Sequence, residues 1–108
     1  MSWTIEYFSE AVRLQIDAFP AGIKASFVRL TELIEEFGLD LRLPHSRAMG
    51  GGLFELRPKG REGIARVFYC TKVGKRIIVL HSFIKKTNET PQRELDIARK
   101  RQREVSKS

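Results

Sequence analysis

Apolar residues change their spacing repeatedly along the chain, and each change marks a new element. Trp3 to Phe8 reads WTIEYF, partly alternating and rich in β-formers, which predicts an opening strand. Ser9 then stands as an N-cap before Val12, Ile16 and Phe19, spaced for one face of a short helix. Beyond Pro20 and Gly22, Ile23, Phe27, Leu30, Ile34 and Phe37 recur at helical intervals, the clearest such period in the chain. Gly38 is placed to stop this second helix. The short break between the two helices predicts an antiparallel helical hairpin.

Periodicity then fades. Leu39 to Gly52, with Pro44, His45 and three consecutive glycines, reads as a loop. Three strand-like runs follow, at Leu53–Arg57, Ile64–Thr71 and Arg76–Ile84. Short glycine-containing gaps separate them, as in hairpins. Thr90 and Pro91 open a last helix, in which Leu95, Ala98 and Val105 share a side and Arg99, Lys100, Arg101 and Arg103 crowd the remainder. Ser106 to Ser108 reads as a frayed tail. The predicted order is β-α-α-β-β-β-α, an α+β fold in one domain over residues 1–108. A small antiparallel sheet would carry the helical hairpin on one face and leave the other open for basic side chains.

Charge sharpens this picture. The chain of 108 residues carries a net charge of +7. Residues 1–56 hold 5 basic and 8 acidic residues, whereas residues 57–108 hold 15 and 5. Such asymmetry points to a polyanionic partner, most often nucleic acid. A single cysteine excludes an intrachain disulfide and, with two histidines, a zinc finger. No phosphate-binding glycine loop of the nucleotide hydrolases occurs, nor an apolar run of membrane-spanning length. A cytoplasmic protein without metal, cofactor or membrane association is expected.

Several stretches, in this order, resemble a known family. They are Pro44-His45-Ser46-Arg47, Gly52-Leu53-Phe54-Glu55-Leu56-Arg57, Ala65-Arg66-Val67-Phe68-Tyr69, Leu80 to Thr87 (LHSFIKKT), and Thr90-Pro91 opening a basic helix. The chain is similar to the HigB-type and phage-derived branch of the RelE/ParE toxin superfamily, the toxins of bacterial type II toxin–antitoxin pairs. The resemblance spans about residues 3–105. It implies a small antiparallel sheet flanked by an N-terminal helical pair and a C-terminal helix. It also implies ribosome-dependent, metal-independent cleavage of mRNA, and a cognate antitoxin that commonly carries a helix-turn-helix. The ParE branch implies a different outcome on the same fold, inhibition of DNA gyrase by binding. A non-catalytic RNA-binding module is a further alternative.

Metal-free RNA cleavage uses the 2′-hydroxyl as nucleophile, so the protein must orient the attack, neutralise charge on phosphorus and move protons. Arg66 stands mid-strand in an apolar run, where a charge is costly without a partner, and matches the family's arginine on this strand. Lys85 and Lys86 match its basic pair. Glu55 can act as a base or as the ion-pair partner that orients Arg57 or Arg66. His81 is a candidate for proton transfer or a hydrogen-bonded core residue. These five form the candidate catalytic set. Arg57, Lys59, Arg61, His45 and Arg47 form the candidate RNA-binding set. No tyrosine follows Tyr69 and no histidine follows His81, a departure from relatives that place such a group near the C-terminus.

Overall fold

The computed structural model of the chain describes residues 2–41, 45–86 and 89–107. Pro44, Thr87 and Ser108, which entered the sequence reading, lie outside these residues. The elements are β1 (Thr4–Tyr7), α1 (Glu10–Asp17), α2 (Ala21–Phe37), β2 (Ser46–Gly50), β3 (Leu53–Leu56), β4 (Lys59–Gly60), β5 (Gly63–Lys72), β6 (Arg76–Lys85) and α3 (Gln92–Lys107). A 3₁₀ turn at Gly38–Asp40 follows α2. The α+β class and the helix placement agree with the sequence pattern.

Ser9 caps α1 through its hydroxyl, which accepts from the Val12 N–H at 3.3 Å. Pro20 stands at the N-cap of α2 and offers no side-chain cap. The Glu62 carboxylate, reaching across from the β4–β5 turn, accepts from the Gly22 N–H at 2.9 Å instead. Ile23, Phe27, Leu30 and Ile34 face the sheet, but Phe37 is 46% exposed and ends the stripe outside the core. Phe19 of the α1–α2 junction meets Phe27 edge to face.

The sheet order is β1-β6-β5-β3-β2, with β4 extending the pairing against β5. Two corrections to the expected sheet follow. It is mixed, because β1 lies parallel to β6. The two strands are joined through both helices and four intervening strands, and parallel pairing requires such a long crossover. The expected loop before Leu53 contains β2, and Gly50 pairs with Leu53 to close a two-residue turn. Gly51 and Gly52 both take positive φ there, 62° and 82°, as a type I′ hairpin demands. The glycine run is thus a strand-pairing signal that the weak periodicity concealed. With β2 and β4 added, the element order differs from the predicted one.

Alternation divides the sheet into two faces. Leu56, Ala65, Val67, Tyr69, Ile77 and Val79 pack with α1 and α2. Leu53, Phe68, Cys70, Ile78 and Leu80 form a second cluster with Ala98, joined by Leu95 and Val105 of α3. The second face is therefore not left open: α3 covers part of it. The apolar spacing of Leu95, Ala98 and Val105 already held that information. The expected frayed tail is also helical up to Lys107.

Candidate nucleic-acid interface

The register of the sheet brings chemistry-bearing residues into rows. Arg47 lies opposite Glu55, Glu55 opposite Phe68, and Phe68 opposite His81. Directly paired residues share a face, so all four belong to the α3 side. Arg66 pairs with Phe83 and Ile64 with Lys85, two positions along the same strands and on that same face. Arg57 follows Leu56 on the Glu55 side, and its N–H donates to the His45 carbonyl at 3.3 Å.

Arg66 and Glu55 form the floor of this region. Arg66 Nε lies 3.4 Å from Glu55 Oε1, and the side chains are 4% and 2% exposed. Thr90 Oγ1, just before α3, donates to Glu55 Oε2 at 3.3 Å, so both carboxylate oxygens are engaged. Arg66 also donates to the Ala65 carbonyl at 3.2 Å. Of the two arrangements the sequence allows for Arg66, an open-face position or an ion pair with Glu55, the structure has the second, and the side chain is buried. A buried arginine in an apolar strand requires a counter-charge, which Glu55 supplies.

The rim carries further cations. Arg57 and Lys85 are partly buried, and Arg47 is exposed. Burial and the neighbouring Arg66 pull the Lys85 ammonium below its ordinary value, with Glu55 opposing and Arg57 and Arg47 adding to the shift. Burial likewise lowers the Arg66 guanidinium, again opposed by Glu55 and reinforced by Arg57 and Arg47. Arg47 and Arg57 thus add their charge to that felt by Arg66 and Lys85, with Glu55 as the opposing carboxylate. A phosphate lying between them relieves their mutual repulsion, which favours an anion at this place.

The other sequence candidates separate by location. His81 is 7% exposed beneath α3. Its Nε2 is 2.7 Å from Glu94 Oε1, and its Nδ1 is 3.5 Å from Arg101 Nη1. Both ring nitrogens face groups of α3 rather than the Arg66 cluster. Lys59 pairs with Ile64, in the row that ends at Lys85, and is exposed, as are Arg61, His45 and Lys86. Thr90, expected as the N-cap of the last helix, instead stands two residues before Gln92 opens α3 and turns its hydroxyl to Glu55, a bond with no signal in the sequence. The clamp of α3 on the β2–β3 turn had none either. There Arg99 donates to the Gly50 and Met49 carbonyls at 2.8 and 2.9 Å, and Gln102 donates to that of Gly51 at 2.8 Å.

Comparison with known proteins places the chain in a family. The family described as Phage derived protein Gp49-like (DUF891) matches residues 15–103, which include α2, strands β2 to β6, most of α3 and the whole cation cluster. The chain belongs to this family. Gp49-like proteins fall within the RelE/HigB-type toxins and are associated with toxin–antitoxin systems. No curated protein matches the chain. Among the described residues no helix is long and apolar enough to cross a membrane, and no group of three or more His, Cys, Asp or Glu side chains is arranged to hold a metal ion.

Proposed function

We propose that this Gp49-like protein is the toxin of a type II toxin–antitoxin pair and cleaves mRNA on the ribosome without a metal ion. The observation that carries this reading is the set of four cations, Arg47, Arg57, Arg66 and Lys85, gathered around Glu55. In the proposed reaction the RNA 2′-hydroxyl attacks the adjacent phosphorus. The bond to the 5′-oxygen of the next nucleotide breaks, leaving a 2′,3′-cyclic phosphate and a free 5′-hydroxyl. Negative charge grows on the non-bridging oxygens, and preformed cations stabilise it most effectively where water is scarce.

Arg57 and Lys85 sit at the rim and are the groups for direct phosphate contact, with Arg47 and Lys86 gripping flanking phosphates. Arg66 supplies field from the floor, held in place by Glu55. Burial and the neighbouring Arg66 lower the proton affinity of Lys85, the direction that eases release of its proton. His81 pins α3 to the sheet in this account. Lys59, Arg61 and His45 extend the basic track for RNA. The cognate antitoxin neutralises the toxin by binding it.

Two observations favour the gyrase-binding alternative: His81 is engaged on both nitrogens, and no tyrosine follows Tyr69. The deciding experiment adds purified wild type, Arg57→Ala and Lys85→Ala to a defined message, with and without translating ribosomes. Ribosome-dependent cuts that fall at least about a hundredfold in either variant support the reading. A wild type that arrests growth but produces no cuts overturns it and points to a non-nuclease target.

A further inference from the structure

Among the described residues, the last residues of β6 have a strand on one side only. β1 pairs with β6 from Arg76 to Val79 and then leaves, the Phe8 N–H donating to the Val79 carbonyl at 2.8 Å. From His81 to Lys85, β6 pairs among the described residues with β5 alone. A cavity of about 280 Å³ lies here, lined by Gln15, Ala18 and Phe19 from the end of α1 and by Ser82, Phe83 and Ile84 of β6. Ser82 and Ile84 belong to one face of the sheet and Phe83 to the other, so the cavity straddles the strand's edge.

Three features of this edge call for an occupant. An unpaired strand presents a row of main-chain donors and acceptors, ready for another extended chain. Ile84 is 38% exposed beside the apolar wall. Ser82, only 6% exposed, lines the cavity with an Oγ that bonds to nothing in the described structure. Native buried hydroxyls are nearly always paired, so an orphan marks a missing partner. The charges say which partner. Arg101 stands at one end of the edge, donating to the Leu80 carbonyl at 2.8 Å, and Lys85 and Lys86 stand at the other.

We infer that this edge is the docking site for an extended, acidic segment of a partner polypeptide, which adds to the sheet as a strand beside β6. Its main chain bonds to His81–Lys85. An apolar side chain fills the cavity against Phe19 and Ile84, a polar group reaches Ser82 Oγ, and flanking carboxylates meet Lys85, Lys86 and Arg101. This is peptide recognition by strand addition, with affinity from the main chain and selectivity from the pocket and the flanking charges. A second copy of the chain is the poorer occupant, because it brings the same lysines and a second net charge of +7 to the contact. The inference names the surface on which the proposed antitoxin docks and rests on that reading only for the partner's identity.

The test uses the full-length protein, isotopically labelled, and a capped heptapeptide of alternating valine and glutamate. Amide shifts and hydrogen exchange are followed up to about 1 mM peptide. The expected result is saturable shifts with slowed exchange at residues 81–85, and no binding by the same peptide with lysine in place of glutamate. Ala18→Glu puts a carboxylate on the exposed rim of the cavity and is expected to weaken binding at least about tenfold, with an unchanged melting curve. No saturable shift by about 1 mM overturns the inference. So do equal binding of the lysine peptide, indifference to Ala18→Glu, or self-association of the free protein through these same amides. No RNA enters the assay, so its failure leaves the nuclease reading intact, and absent cleavage leaves the docking result intact.

Discussion

Arg66 Nε sits 3.4 Å from Glu55 Oε1, with both side chains almost wholly withdrawn from water. This pair links stability to function. Two buried charges satisfy each other, and removing one strands the other in a medium that solvates it poorly. Beside them, Arg57, Arg47 and Lys85 contribute positive charge that the single carboxylate does not balance. The pair therefore maintains a local excess of positive charge without leaving its own members unpaired.

Arg66→Ala is accordingly expected to cost about 3–5 kcal/mol of stability, because Glu55 is left charged and buried. A surface arginine would cost far less. The double variant Glu55→Gln/Arg66→Met removes both charges together and is expected to recover most of that loss. If Arg66 serves the proposed cleavage, the recovered protein still fails to cut RNA. Denaturant melts of wild type, single and double variants, paired with the ribosome assay, separate the two roles.

Phe27→Ala is expected to destabilise the protein by about 3–5 kcal/mol. Phe27 is 4% exposed and meets Phe19 edge to face at a centroid distance of 6.5 Å. It joins α2 to the α1–α2 junction over the sheet, so truncation opens a void that neither helix can close alone. An unchanged thermal midpoint would refute this packing.

Much of the layer structure was legible in the sequence, because burial imposes a period that residues display directly. The α2 stripe from Ile23 to Ile34 and the apolar run of β6 are of this kind. Misread positions have identifiable causes. Phe37 kept the helical interval but falls at the end of α2, where the sheet no longer covers it. β2 is an edge strand whose outward residues include Arg47 and Ala48, so no hydrophobic alternation announced it. The cation cluster was legible as residue types, whereas the Arg66–Glu55 pairing was one of two arrangements the sequence allowed. Thr90 and the contacts of α3 with the β2–β3 turn depend on tertiary placement, which local pattern does not encode.

Gly38→Ala is expected to disrupt the junction of α2 with β1. Gly38 has φ 55° and ψ −125°, and a Cβ built there would overlap the indole ring of Trp3. The Trp3 N–H also donates to the Glu35 carbonyl at 2.9 Å, fixing the strand entrance against the helix end. The substitution combines left-handed backbone strain with displacement of a large side chain, for a cost of at least about 2 kcal/mol. Trp3 is the sole tryptophan. A red shift of its emission in the folded variant would report the indole leaving its site, and an unaltered spectrum and melt would contradict this packing.

Glu62 predicts a pH dependence that can be assigned to one residue. Its carboxylate is held below its ordinary value chiefly by the Gly22 N–H, with further help from backbone donors at Glu62 and Ile23 and from Arg61. A carboxylate with a lowered folded value binds its proton more readily in the unfolded chain, so acid favours unfolding. The stabilisation is complete above the ordinary value of about 4.5 and is lost as pH falls through the lower, folded value. Glu6, lowered by its paired hydrogen bonds with Arg76 at 2.6 and 2.7 Å, contributes in the same direction and window. Glu62→Gln keeps the shape of the side chain but removes the titration. The variant is expected to be less stable than wild type at pH 7, where α2 loses its anionic cap, and to show a shallower decline on acidification. Denaturant midpoints measured from pH 7 to pH 3 test this. Parallel curves for the two proteins would mean that the contact does not hold the carboxylate ionised, and that α2 starts without it.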